Sequence, residues 1–261
     1  MPEGDAIHRA AGRIRTALAG RAPERIVTPQ PRHRYERWPE KLAGRALEAV
    51  DAHGKHLLLR FEGGLTIHSH LRMSGSWSVR LQDDPTHPAR RSMRGAWLVL
   101  AAGGSEAVQY GGPVLELMTD ARARSDPRLA ALGPDVIGES FDQRLFLRRL
   151  REDDPTRPIG DALLDQRTVA GIGNMWKAEC CWAAELDPWR QTADVGDEQV
   201  LAAIAFAREE MTRSVRDGGR RRPHATYRQA GRPCPRCGAK IRQRGQWENN
   251  RVTFWCPSCQ V

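Results

Sequence analysis

Four cysteines near the C-terminus constrain this chain more than any other feature. They are spaced Cys234-x2-Cys237-x18-Cys256-x2-Cys259, two knuckles able to set four thiolates tetrahedrally around one zinc ion. A pair of disulfides or a redox CxxC are the other uses of such a pattern. The N-terminal MPEGDAIHRA lacks the apolar run of an export signal, which disfavours both. One structural zinc ion is expected, on a β-hairpin whose strands IRQRGQW and RVTFW flank the turn residues Glu248, Asn249 and Asn250. Cys180 and Cys181 fall in an apolar helical stretch and read as buried thiols.

The charge is concentrated in the same region. Residues 218–261 hold ten Arg and Lys against one acid, Glu248, so the whole formal excess of +9 in the 261-residue chain lies there. A localised basic block reads as a polyanion-binding surface; the alternative is a solubilising tail. No apolar run approaches the roughly 20 residues that span a bilayer. A soluble, cytoplasmic, monomeric protein without a membrane partner is expected.

Residues 5–20 read as a helix, with Ile7, Ala10, Ile14 and Leu18 near one face. From about 45 to 120 the pattern turns to short runs (LEAVDA, HLLLRF, LTIHS, SWSVRL, AWLVLA, AVQY) bounded by glycine-containing turns, the signature of antiparallel strands. Residues 82–94 read as a polar loop. A Gly/Pro junction, LGPDVIG (132–138), is followed by helical patterns at 141–151 and 158–216, and 218–226 links to the cysteine module. The fold class expected is α+β: an N-terminal antiparallel β-sandwich with a leading helix (1–131), a helical domain (132–219) and a four-cysteine finger (220–261).

Five segments carry chemistry. Removal of Met1 leaves Pro2 with a free secondary amine. An α-amine titrates near 8, against about 10.4 for lysine, so far more of it is nucleophilic at neutral pH. Its attack on a sugar C1′ gives an iminium that acidifies the C2′ proton, and Glu3 stands beside it to relay protons. Lys55, in the Gly54-Lys55-His56 turn, can protonate or orient a ribose oxygen. Gly171-Ile172-Gly173 breaks a helix, and Asn174 begins the next, able to cap it and to offer its amide where a phosphate would bind. Arg251 stands at the hairpin tip, a planar donor for phosphate. Arg72 and Met73, in a loop between strands, can wedge into a base stack. Each segment alone also has an ordinary reading as a turn, a corner or an exposed side chain.

In this order, PEG at the N-terminus, the Gly-Lys turn, GPD at the junction, the LLDQ…GIGN corner and the finger ending CPSCQ resemble the Fpg/Nei family of DNA glycosylases, and its endonuclease VIII branch in particular. The resemblance implies a bifunctional DNA glycosylase/AP lyase of base excision repair. Pro2 would be the Schiff-base nucleophile, Glu3 its acid/base partner, Lys55 the proton donor for β-elimination and Arg251 the residue assisting δ-elimination. Arg72, Met73 and Asn174 would contact damaged DNA. The GIGN corner would be the family's helix-two-turn-helix, and Cys234, Cys237, Cys256 and Cys259 would hold a structural zinc ion. MPEG and the segment 109–118 favour oxidised pyrimidines as substrates. Two departures stand out. Ala6 replaces a glutamate that many members carry, and Ala131 and Leu132 stand where many have an arginine, with Arg128 nearby but displaced. A non-catalytic zinc-ribbon protein that binds damaged DNA, or a lyase without glycosylase activity, are the competing readings; only an enzyme needs Pro2, Glu3 and Lys55.

Overall fold

In the computed structural model, the residues described are 2–82, 94–219, 223–246 and 251–261, without the side chain of Arg34. Residues 83–93 of the expected polar loop, the linker residues 220–222 and the hairpin turn 247–250 lie outside them. The chain divides into two compact units, one of Pro2 with Ala6–Ala130 and one of Glu3–Asp5 with Ala131–Val261.

Helix α1 spans Gly4–Leu18, and from Ala6 onward it belongs to the first unit. Ile7, Ala11, Ile14 and Leu18 recur at helical spacing and are all buried, the stripe an amphipathic helix turns to a core. Strand β1 (Arg25–Val27) and the short helices α2 (Pro31–Arg34) and α3 (Trp38–Leu42) follow. Then come β2 (Leu47–His53), β3 (His56–Phe61), β4 (Leu65–His70), β5 (Ser76–Arg80), β6 (Ala96–Ala102), β7 (Ser105–Tyr110) and β8 (Val114–Thr119). They form two four-stranded sheets, β1-β6-β7-β5 and β2-β3-β4-β8, with every pairing antiparallel. In β3, Leu57, Leu59 and Phe61 are buried while His56, Leu58 and Arg60 between them are not, the period-2 alternation of a half-buried strand. These residues share one core with α1, Trp38 and Leu98 and Leu100 of the other sheet. Helices α4 (Asp120–Ser125) and α5 (Pro127–Ala130) end the unit.

Two strands have no counterpart in the alternating runs of the sequence. β1 has three residues, too few for a period to show. β8, VLELMT, is almost continuously apolar and lacks the alternation that marks a strand, yet it pairs with the whole of β4, from Leu65↔Thr119 to His70↔Val114.

The second unit contains α6 (Gln143–Glu152), α7 (Ile159–Ala162), α8 (Asn174–Ala183), α9 (Asp197–Arg216) and the hairpin β9 (Arg242–Gln246) and β10 (Arg251–Trp255). The Asp142 side chain caps α6 by accepting from Leu145 N–H at 2.9 Å, one of the donors a helix start leaves open. Phe146, Ile159, Trp176, Val200 and Met211 belong to its core. Ile241 and Phe254 form a smaller cluster with Cys234, Cys256, Cys259, Trp182 and Tyr227. No helix among the described residues is long and apolar enough to cross a membrane.

Candidate active site and four-cysteine centre

Pro2 is half-buried on the wall of a cavity of about 330 Å3, together with Ala6, Arg9, Arg13, Ser76 and Trp77. Residues 2, 6, 9 and 13 follow helical spacing, so one face of α1 supplies a methyl at Ala6 and two guanidinium-bearing side chains to the cavity that Pro2 lines. Arg13 also donates to the Val79 carbonyl at 2.8 Å.

Lys55 sits in the two-residue turn between β2 and β3, whose closing pair is His53↔His56. Gly54 takes φ 56° there, the left-handed conformation that favours glycine. The strand ends beside this turn carry a histidine group. His56 Nδ1 lies 2.9 Å from His68 Nε2, and the rings of His56 and His70 are 4.6 Å apart. Burial, then the neighbouring His70, His68 and His53 and the charge of Arg128, holds His56 down at about 2. Burial, then the cations of Arg72 and Lys55, holds His70 at about 4. Both are neutral at physiological pH and offer hydrogen bonds without charge. The sequence carried a signal for this group: HSH places His68 and His70 on one face of β4 by period-2 alternation, with His56 directly across from His70.

Arg72 and Met73 occupy the loop from β4 to β5. Arg72 has φ 52°, a conformation uncommon for a residue with a side chain, and its N–H reaches His70 Nδ1 at 3.3 Å. Met73 is 65% exposed, so a large apolar side chain stands in solvent at the loop tip. Arg128 is committed elsewhere: it donates to Glu116 at 2.6 and 3.1 Å and to Asp126 at 2.6 Å. Its hydrogen bonds hold the Asp126 carboxyl down at about 2.

In the second unit, Glu3 is buried and accepts three backbone N–H groups, from Gly173 at 3.0 Å, Met175 at 2.9 Å and Trp176 at 3.2 Å. These are donors that the start of α8 leaves without helical partners. The cap expected from Asn174 is therefore supplied by Glu3. Gly173 is the capping position, Asn174 is the first helical residue, and the anion at this helix start is the protein's own carboxylate. Next along the chain, Asp5 accepts from Trp176 Nε1 at 3.1 Å and Ser214 Oγ at 2.6 Å. Asn174 Nδ2 donates to the Val252 carbonyl at 2.8 Å, which ties the start of α8 to the strand that Arg251 begins. Arg251 itself is half-buried and pairs in register with Gln246.

Several residues at this end of the unit left no mark in the sequence pattern. Glu179 accepts the N–H groups of Ala225, Thr226 and Tyr227 at 2.8, 3.0 and 2.9 Å, fixing the segment between α9 and the cysteine module. Lys177 is fully buried beneath the hairpin. Arg244 of the basic block stacks over Trp189, 3.8 Å from the ring centroid, a cation–π contact.

None of the six cysteines is in a disulfide, and the sulfurs of Cys234, Cys237, Cys256 and Cys259 lie within 4.8 Å of one another. Cys234 and Cys259 sulfurs are 3.9 Å apart and those of Cys237 and Cys256 3.5 Å. A tetrahedron of thiolates about 2.3 Å from zinc has edges of about 3.8 Å, whereas a disulfide needs about 2.05 Å. The donor set fits a zinc ion. Gly238, at φ 78° with its N–H on the Cys234 carbonyl at 2.9 Å, makes the tight turn of the first knuckle.

Comparison with known proteins agrees with this geometry. Residues 1–109 match the family model described as the formamidopyrimidine-DNA glycosylase N-terminal domain, and residues 132–223 match the H2TH domain of the same glycosylase. The chain is 38% identical to a probable endonuclease 8 2 of Streptomyces coelicolor, over all of this chain and 94% of that protein. It is 34% identical to the DNA-(apurinic or apyrimidinic site) lyase Nei2 of Mycolicibacterium smegmatis, over all of this chain and 99% of that one. Its fold is similar to that of Lactococcus lactis Fpg in complex with DNA containing N7-benzyl-Fapy-dG, with a TM-score of 0.82, 23% identity and 99% of each chain covered.

Proposed function

The chain belongs to the Fpg/Nei family of DNA glycosylases and AP lyases of base excision repair, and from that premise we propose that it removes oxidised pyrimidines from DNA and then cuts the strand by β,δ-elimination. The observation that carries this reading is Pro2 on the wall of a cavity whose other cationic side chains, Arg9 and Arg13, suit an anionic substrate. The amine exposed by removal of Met1 attacks C1′ of the damaged nucleotide and the C1′–N bond to the base breaks, the amine proton leaving with the base; the C1′–O4′ bond then opens, O4′ taking up a proton, and an iminium forms on Pro2. That cation draws electrons from the C2′–H bond, so loss of the C2′ proton expels the 3′ phosphate. Lys55 supplies the proton for β-elimination, and Arg251 stabilises the 5′ phosphate as it leaves in δ-elimination.

Glu3 has a more restricted part than a mobile acid/base group. Its oxygens accept three backbone N–H groups, so it fixes the residue to which the nucleophile is bonded, and any proton it relays passes through a carboxylate already held in place. Asn174, Arg72 and the exposed Met73 contact damaged DNA, Met73 filling the space an extruded nucleotide leaves. The four thiolates bind one structural zinc ion that holds the hairpin and takes no part in the chemistry. Residues 1–131, 132–219 and 220–261 act as the catalytic, DNA-binding and zinc-finger segments of a cytoplasmic monomer whose partner is damaged DNA.

Borohydride trapping on oligonucleotides, each with one defined lesion, tests the reading. Covalent complexes are expected with abasic sites and with oxidised pyrimidines. Trapping on abasic DNA alone identifies a lyase without glycosylase activity. Binding without trapping identifies a damage-recognition protein.

A further inference from the structure

Lys177 is the one fully buried lysine among the described residues, and neither the nucleophile nor the metal centre requires it. It lies on α8, one turn after Asn174. Its Nζ donates to Gln246 Oε1 at 2.9 Å and to Thr253 Oγ1 at 2.5 Å, and so bridges the two strands of the hairpin from below. The Thr253 hydroxyl in turn donates to Gln246 Oε1, and Gln246 Nε2 donates to the Pro188 carbonyl at 3.2 Å. Gln246 and Thr253 are as buried as the lysine.

The placement of these partners gives the cluster its meaning. Gln246 is the residue paired with Arg251 in register, and Thr253 lies two positions beyond Arg251 on the same strand. Val252, between them, is held by Asn174 Nδ2. Helix α8 thus grips β10 at the two residues that follow Arg251 and β9 at the residue opposite it. An apolar side chain at 177 would fill the same volume without the desolvation cost of burying an ammonium. What the ammonium adds is direction, because charge-assisted hydrogen bonds are short and oriented.

We propose that Lys177 is a positioning residue for the lyase reaction, clamping Gln246 and Thr253 so that the hairpin presents Arg251 in one fixed orientation. The inference rests on the assignment of Arg251 to δ-elimination made above. Other charged or titratable groups that act on the Lys177 ammonium are Cys181, Asp161, Cys180 and Arg251 itself.

Two variants of the full-length, zinc-loaded protein test the clamp. Lys177→Met keeps the buried stem and removes the donor; Thr253→Val removes one partner with little change of shape. Each is read twice, by amide hydrogen exchange of residues 251–255 without DNA and by the ratio of δ- to β-elimination ends on abasic DNA. The expected result is faster exchange along β10 and a δ:β ratio lowered by roughly tenfold or more, since an ångström of misplacement costs a catalytic group about 10²-fold. Unchanged exchange in both variants overturns the clamp. Faster exchange with an unchanged ratio overturns its part in the reaction. A wild-type protein that traps on abasic DNA but makes only β-elimination ends removes the reading of Arg251, and with it the role of Lys177 in chemistry. A wild-type protein that fails to trap at all removes the proposed reaction itself, whatever the exchange shows.

Discussion

The Glu3 carboxylate occupies the space in front of Gly173. A Cβ on that glycine would lie 2.3 Å from Glu3 Cδ, and the Gly173 N–H donates to the same carboxylate at 3.0 Å. Glu3 and a glycine 170 positions away are therefore matched. The carboxylate needs the room, and the helix start needs the carboxylate. Gly4 and Gly171 are fitted in the same way: a Cβ on Gly4 would lie 2.9 Å from Gly171 Cα, and Gly4 N–H donates to the Gly171 carbonyl at 3.0 Å.

This match is measurable as a coupling. Gly173→Ala is expected to destabilise the protein by about 1–3 kcal/mol, the scale of overpacking in a closed site. Glu3→Ala is expected to cost about 0.5–2 kcal/mol through the lost cap. In the double variant the clash is gone, so the two costs are expected to sum to more than the measured total. Chemical denaturation of the four proteins gives the coupling; strict additivity would mean that the two residues do not share the space.

Lys55→Ala is expected to slow strand scission roughly 10²-fold or more, the usual scale for a lost acid/base group, while lesion binding weakens less. Single-turnover cleavage beside an equilibrium binding assay separates the two. Unchanged cleavage kinetics would return Lys55 to the ordinary role of a turn lysine.

Metal analysis is expected to find one zinc ion per chain, released by chelators together with the structure of the finger, because metal binding and folding are coupled in small thiolate sites. Cys256→Ser is expected to lose the metal and weaken DNA binding. Active protein without zinc, or a variant that binds DNA normally, would count against the finger as a clamp.

Arg251 and the basic block are expected to divide their labour. Affinity for undamaged duplex should fall with salt at a log–log slope near −0.9 per phosphate neutralised. Removing exposed Arg242 should weaken binding to all sequences alike and flatten that slope by up to about one unit. Arg244 stacks on Trp189, so its removal also loses packing on the ring. Arg251→Ala, by contrast, should leave base removal largely intact and shift the cut ends from 3′ phosphate towards the unsaturated aldehyde on a denaturing gel. A change in affinity with an unaltered product ratio would make Arg251 one more phosphate contact.

Lys177 also sets a pH dependence. Burial is the chief cause, with the Arg251 charge acting in the same direction, of a decrease to about 8 from the ordinary 10.5. Below pH 8 both folded and unfolded chains carry the proton, and the folded state bears the full cost of the buried ammonium. Between about 8 and 10.5 the folded state has lost the proton and the unfolded state still holds it, so this contribution to stability rises with pH. The gain totals about 3 kcal/mol at the standard conversion. Urea unfolding of the wild type and of Lys177→Met across that range is expected to show the wild type gaining on the variant as pH rises; a constant difference would mean that the folded lysine titrates like a free one.

Much of the architecture was legible in local patterns. The spacing of Cys234, Cys237, Cys256 and Cys259 announced the sulfur cluster, because ligand spacing in paired knuckles is a short-range property. Alternation in HLLLRF and its neighbours announced the sheets, and the stripe of Ile7, Ile14 and Leu18 announced α1, because one face of each is buried and periodicity follows geometry. Where a strand lacks alternation, as in β8, the pattern was silent.

Other parts of the site were decided only when distant segments met. That Glu3 caps α8, that Glu179 gathers the N–H groups of 225–227, that Arg128 is taken up by Glu116 and Asp126, and that Lys177 lies beneath the hairpin all depend on hydrogen bonds between groups with no periodic relation in sequence. A carboxylate or an ammonium looks the same in the chain whether it will face water or three oriented partners. What the residue types and spacings determined was the inventory: a proline at position 2, a lysine in a turn, four thiols and a basic tail. Tertiary structure determined which of those groups are held rigid, because a buried polar atom is stable only where the fold brings its partner to it.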